Sequence, residues 1–169
     1  LYDNGFRLIK MQDLIDNNIN VEAGCTPVVL SFDDGIDTSF SLEEREGQLV
    51  PKKDSAVDII NNFVEEHPDF GKAAIFFVND VPFDGAGDLK ERTQYLLDNG
   101  YEIGNHTITH ANLKNLDANS IQQEIGSVHK MLADSNSEIK ISALSYPFGI
   151  RPTEELRGFA LNGTYNDLE

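Results

Sequence analysis

Tryptophan is absent from this 169-residue chain, and cysteine occurs once, as Cys25. A single thiol excludes an intramolecular disulfide, so cysteine usage does not separate a cytosolic from an exported chain. Basic side chains are also scarce: 13 lysines and arginines face 29 aspartates and glutamates, a net charge of −16. That balance repels a nucleic-acid backbone and an anionic membrane surface at long range, so neither is expected as a partner. A neutral or cationic substrate is easier to accommodate. No apolar run approaches the length of a membrane span, and no basic start followed by an apolar centre marks a signal peptide. The chain opens on Leu1 rather than methionine, as expected of a mature, trimmed or excised piece. Its length fits a single domain over residues 1–169, or most of a larger one.

What the sequence does contain is an apolar run that stops abruptly in two acids. Residues 28–32, Val-Val-Leu-Ser-Phe, are rich in β-branched and aromatic side chains with no charge, and read as a buried strand; Gly35 permits a sharp turn after Asp33 and Asp34. Two carboxylates at a strand end repel each other unless a cation or donor network lies between them, so such pairs often serve as metal or acid/base sites. Read alone, Asp33-Asp34-Gly35 is also compatible with an ordinary turn.

Strand and helix patterns then alternate four times. A short amphipathic piece over 11–15 precedes the first strand, with Asp13 and Asp16 on its solvated face. Residues 36–53 form the longest irregular stretch, expected as a lid or mobile segment whose Phe40 and Leu42 fold over a groove, with Glu43, Glu44 and Glu46 solvated. From Ser55 the spacing of Ala56, Ile59, Ile60, Phe63 and Val64 predicts a helix stopped by Pro68. A continuous apolar strand follows over 73–78. Asp88 and Glu91 have the spacing of a capping box at the start of the next helix, which ends at Gly100. Residues 101–104 predict a third strand. A helix over 117–132 buries Ile121, Ile125, Val128 and Leu132, and 139–144 predicts a fourth strand. Pro152 opens a last helix ending near Gly163. The alternation argues for βαβ units in a parallel sheet, either doubly wound or closed as a barrel. His67 and His129 read as solvated or capping residues.

The third strand runs directly into Asn105-His106-Thr107-Ile108-Thr109-His110. Two imidazoles four residues apart share one face of a helical turn and can reach one ion. In parallel α/β folds, ligand and catalytic groups gather just past the carboxyl ends of strands, where both the Asp pair and the His pair lie. Two histidines and one carboxylate leave a coordination position open for water, while a second carboxylate can take that water's proton. Thr107 and Thr109 are either packing residues or hydrogen-bond donors around the pair. Ser145-Tyr146-Pro147-Phe148-Gly149 at the fourth strand end is either a turn fixed by proline and glycine or a cleft wall offering a backbone N–H to a developing oxyanion.

With Ser31-Phe32-Asp33-Asp34-Gly35, His106-Thr107-Ile108-Thr109-His110 and Tyr146-Pro147-Phe148-Gly149 in this order, the chain resembles the polysaccharide deacetylases of the NodB-homology type, carbohydrate esterase family 4. The lead-in from Gly5-Phe6 through Asp13-Leu14 to Pro27-Val28-Val29 resembles them too. The resemblance implies an α/β fold of the distorted (β/α) barrel type, and removal of N-acetyl, in some members O-acetyl, groups from a polysaccharide such as peptidoglycan, a chitin-like chain or poly-N-acetylglucosamine. It implies Zn2+, or another divalent ion such as Co2+, held by Asp34, His106 and His110, with Asp33 as the base. Phe148 stands where the family places a backbone N–H that helps hold the oxyanion, and Pro147 matches the proline beside it. An extracellular or cell-wall location is implied as well.

Ser145 stands where many members carry an arginine that pairs with the base, and Arg151 is the nearby substitute. The family's later motifs, an Asp-Trp segment and a Leu-x-His that supplies the general acid, have no counterpart, so the residues are expected to be a portion of the catalytic domain. A non-catalytic glycan-binding or scaffold domain that keeps the metal site is the rival reading. A magnesium phosphoesterase built on Asp33-Asp34 is a third.

Overall fold

The computed structural model describes residues 1–166. β1 (Phe6–Leu8) leads through the short α1 (Met11–Ile15) to β2 (Thr26–Val28), and the two strands pair in parallel. β3 (Ser31–Phe32) belongs to a different sheet. The single strand expected over 28–32 is therefore two short strands, because the chain changes pairing partner between Val28 and Ser31, and its apolar side chains are half-buried rather than fully buried while Ser31 is exposed.

The expected lid is a hairpin. β4 (Leu42–Arg45) and β5 (Gln48–Pro51) pair antiparallel across a two-residue turn in which Glu46 and Gly47 both have positive φ, 54° and 78°. Two consecutive left-handed residues make the turn whose twist matches that of its strands. Phe40 and Leu42 do not fold over a groove; both are buried, and Phe40 packs edge-on against Phe83 with ring centroids 5.2 Å apart. Glu44 and Glu46 are exposed, and Glu43 pairs with Arg45 along its own strand.

α2 (Ala56–Glu66) starts at Ser55, whose hydroxyl accepts the Asp58 N–H. Its buried positions are Val57 and Ile60, while Ile59 is 57% exposed, so the buried face is rotated from the expected one. His67 at its end is the C-cap, as the capping reading expected; it is half-buried, with its ring centroid 4.5 Å from those of Tyr2 and Phe63. β6 (Ile75–Val78) follows with all four side chains buried, as an uninterrupted apolar run demands of a strand covered on both faces. α3 (Leu89–Asp98) carries the expected capping box, with Asp88 and Glu91 each accepting the other's backbone N–H.

β7 (Glu102–Asn105) and α4 (Ala118–Ser135), capped by Asp117, complete the next unit; Ile121, Val128 and Leu132 are buried and Ile125 is half-buried. His129 is half-buried on α4, and burial pushes its pKa down. The fourth strand reduces to one parallel bridge between Asn105 and Leu144. The last helix is a 3-10 segment over Glu154–Ala160 rather than an α-helix opening at Pro152; Gly158 inside it weakens any drive to continue.

β3, β6, β7 and Leu144 lie side by side, all parallel. Their order follows the chain with no reversal, which is the winding of a (β/α) barrel wall rather than of a doubly wound sheet with a switch point. The core sits under this wall, where Phe40, Val57, Phe76, Phe83, Leu96 and Val128 reach zero exposure. Phe32 stacks on Phe76 at 5.2 Å, so the packed aromatics anchor the strand that delivers the two acids. Each such side chain contributes about 1.5–3 kcal/mol by burial.

Candidate functional site

The carboxyl ends of the wall converge. Asp33 and Asp34 leave β3, Asn79 leaves β6, His106 leaves β7, and Ser145 follows the Leu144 bridge. Asp34 has φ 69°, and Gly35 after it has φ 61°. A Cβ on Gly35 would sit 3.2 Å from Pro82 Cα and from Val78 Cγ1, so glycine is required there both for conformation and for space. The turn lifts both carboxylates to the rim, where their side chains are about half exposed, 49% for Asp33 and 47% for Asp34.

The two histidines do not share a helical turn. Residues 106–110 are irregular, with Thr107 at φ 63° and His110 at φ 54°. A left-handed conformation costs a non-glycine residue about 1–3 kcal/mol, so it persists only where the surroundings hold it. Here the hold is a set of hydrogen bonds. Asn105, buried to 1% exposure, accepts the Thr107 N–H at 2.8 Å and donates to the Ile125 carbonyl of α4 at 2.8 Å. The Thr107 hydroxyl accepts the Ala111 N–H at 3.2 Å. Thr109 donates its N–H and its hydroxyl to the two carboxylate oxygens of Glu124, at 2.9 and 2.7 Å. Both threonines therefore brace the loop.

His106 is 2% exposed, and its Nδ1 lies 2.9 Å from the Ser145 carbonyl oxygen. A carbonyl only accepts, so that nitrogen carries the proton and Nε2 presents its lone pair to the cleft. Asp34 Oδ1 lies 3.5 Å from His106 Nε2 and 3.5 Å from His110 Nε2. One ligand atom from each of Asp34, His106 and His110 falls within 4.8 Å of the others. Bonds of about 2.0–2.2 Å at a tetrahedral ion set neighbouring ligand atoms roughly 3.3–3.6 Å apart, so the two Asp34 distances suit one shared ion. The donor set, two imidazoles and one carboxylate with Nε2 of His106 already freed, fits a divalent metal.

Asp33 stands one step back. Its Oδ2 is 3.9 Å from His106 Nε2 and accepts a long 3.4 Å contact from the Ser145 hydroxyl. Ser145 thus touches the base candidate through its side chain and His106 through its backbone. Among the described residues no ion pair joins Arg151 to Asp33. Pro147 is buried and opens the 3-10 turn Pro147–Gly149; Phe148, 67% exposed as a residue, has φ 60°, and its ring packs edge-on to His110 at 4.6 Å. Three residues escaped the sequence reading: Asn105, Glu124, and Asn79, whose amide donates to Asp34 Oδ1 at 3.4 Å. Asn79 follows the apolar run of β6 directly, a polar residue at a strand end, and could have been found on that ground; nothing local marks Glu124.

An α/β wall bearing two histidines and an acid at its strand ends could hold a metal ion, and comparison with known families gives the class of protein. The profile of the family described as polysaccharide deacetylase matches residues 20–163, and the chain belongs to that family. Among solved structures, it is similar to the Streptococcus pyogenes deacetylase PplD in complex with acetate (TM-score 0.61, 15% identity, 94% of this chain and 62% of that one). It also resembles a family 4 carbohydrate esterase from Streptomyces lividans in complex with acetate (TM-score 0.51, 17% identity, 79% and 57%). A third is a CE4-family pseudoenzyme from Bacillus anthracis (TM-score 0.53, 18% identity, 79% and 39%). At these identities the likeness establishes the α/β deacetylase fold. The chain spans 39–62% of the length of these three chains.

Proposed function

We propose that residues 1–169 belong to a single catalytic domain, of which they are a portion, that hydrolyses acetyl groups, N-linked or O-linked, from a polysaccharide such as peptidoglycan, a chitin-like glycan or poly-N-acetylglucosamine. The observation that carries this reading is the placement of Asp34 Oδ1 at 3.5 Å from both His106 Nε2 and His110 Nε2, with Asp33 beside them and uninvolved in the triad. Asp34, His106 and His110 hold Zn2+, or another divalent ion such as Co2+. A divalent ion there supplies Lewis acidity toward the acetyl carbonyl and makes water a stronger nucleophile near neutral pH.

The protein's own groups do the rest. Asp33 accepts the proton of the attacking water, and its half-exposed position leaves that water a path in. The Ser145 hydroxyl holds the Asp33 carboxylate, and the Ser145 carbonyl holds the His106 ring. Pro147 and the left-handed backbone of Phe148 set the wall from which the Phe148 N–H faces the developing oxyanion; the contact of the Phe148 ring with His110 supports that placement. The substrate is a glycan at the cell surface or outside it, in keeping with an acidic chain unsuited to nucleic acid, and no helix of the described residues is long and apolar enough to cross a membrane.

A second reading, a glycan-binding domain that keeps the metal but does not turn over, is favoured by one observation. The fold is shared with a CE4-family pseudoenzyme from Bacillus anthracis. Acetate release from acetylated chito-oligosaccharides, peptidoglycan and O-acetylated glycan with zinc or cobalt added separates the two. Release that Asp33→Asn lowers by about 10²–10⁴-fold while zinc stays bound supports the enzyme. No release from any of these glycans with metal demonstrably bound supports the binding domain.

A further inference from the structure

The geometry points to Glu124 as a positioning residue that fixes the spacing of the two histidines. The inference rests on the reading of His106 and His110 as metal ligands. Between these residues the chain makes two left-handed turns, at Thr107 and His110, and a loop so shaped has no helical hydrogen-bond ladder of its own. What replaces the ladder comes from α4. The Glu124 carbonyl accepts the Ile108 N–H at 3.0 Å, and its carboxylate accepts both the N–H and the hydroxyl of Thr109, at 2.9 and 2.7 Å. Three of the loop's donors thus end on one residue, and the last of them lies next to His110. The neighbouring Ile125 carbonyl receives the Asn105 amide, so α4 grips the loop at both ends.

The two ends of the loop are supported differently. His106 is buried and has a partner of its own in the Ser145 carbonyl. His110 is half-buried, and among the described residues its side chain makes ring contacts with His106, at 4.9 Å, and Phe148, at 4.6 Å, besides its approach to Asp34, and no hydrogen bond of its own. The direction of the His110 side chain therefore depends on the backbone that precedes it, and that backbone is Thr109, held by Glu124. Without the carboxylate, Thr109 is free to relax from the arrangement that brings His110 Nε2 to 3.5 Å from Asp34 Oδ1. Removing a partner that orients a ligand typically costs 10–100-fold in metal affinity.

The test compares wild type, Glu124→Ala, Glu124→Gln and Thr109→Val as full-length proteins. The readouts are zinc affinity by competition with a chromophoric chelator, the visible spectrum of the cobalt form, and Tm of the metal-free proteins. Glu124→Ala should weaken zinc about 10–100-fold and shift the cobalt bands, with the metal-free Tm close to wild type. Glu124→Gln and Thr109→Val each keep part of the clamp, since an amide carbonyl still accepts one donor and valine keeps the backbone N–H, so both should show smaller losses. Wild-type zinc affinity in Glu124→Ala overturns the proposal, as does a lower metal-free Tm with unchanged affinity and cobalt spectrum. Should Glu124→Ala not fold, the two milder variants decide: weakened zinc in both upholds the role, and wild-type zinc in both overturns it. Zinc that wild type takes up with no dependence on Glu124 removes the positioning role alone. A wild type that takes up no zinc removes the metal site and the positioning role together.

Discussion

β6 and the loop that leaves β7 are neighbours on the same wall, yet different forces hold them. β6 places Ile75, Phe76, Phe77 and Val78 in the core, where the side chains are held by packing alone. The loop over 106–110 has buried polar atoms, two left-handed residues and a web of hydrogen bonds reaching to α4 and to Ser145. Core packing is redundant and tolerates small shifts at a modest cost, whereas a hydrogen-bonded loop with strained backbone has one arrangement that satisfies it. The difference assigns stability to one region and precision to the other.

That division can be broken deliberately. Phe76→Ala should cost about 3–5 kcal/mol of unfolding free energy in urea titrations, the usual loss for a buried phenylalanine. Below the unfolding transition its zinc affinity should stay near wild type; a large loss of affinity in the folded variant would mean that core and rim are not separable. His110→Ala is the opposite cut. Its ring is about one-third exposed, so the urea midpoint should hardly move, while zinc binding should fall by more than the ~10–100-fold typical of losing an outer-shell partner.

The smallest effect concerns a residue in neither region. Burial lowers the pKa of His129 from 6.5, so in the fold the ring stays neutral where the unfolded chain already takes up a proton. The unfolded state then binds more protons, and stability falls as pH drops below about 6.5 toward the folded value. His129→Gln should make the decline of the urea midpoint between about pH 7 and 5 shallower without altering zinc affinity at neutral pH. An unchanged decline would place the acid sensitivity elsewhere.

How much could be read in advance follows the same line. The run over 73–78, the Asp88/Glu91 cap and the stripe of Ile121, Val128 and Leu132 were legible because burial and capping leave periodic, local marks. The three motifs pointed to strand ends that the structure brings together. The conformation of the His loop was not legible, because a four-residue spacing suggests a helical turn, and what overrides it comes from Asn105 and from Glu124, fourteen residues beyond His110. The hairpin within 36–53 was hidden by its turn: Glu46-Gly47 lacks the asparagine or aspartate that usually announces such a bend. Ile59 and Val57 exchanged places because adjacent apolar residues on a helix leave its rotation undetermined until the neighbouring strands are in place.

The contact between His106 Nδ1 and the Ser145 carbonyl makes the imidazole a gauge of strand alignment. Ser145 reaches that position because its N–H is bound to the Asn105 carbonyl while the Asn105 N–H takes the Ala143 carbonyl. A slip of one residue in this pairing turns every group to the opposite face, so the carbonyl that fixes the histidine tautomer would be withdrawn. The nitrogen resonances of His106 therefore report, from inside the cleft, whether the weakest-paired segment of the wall has docked in register.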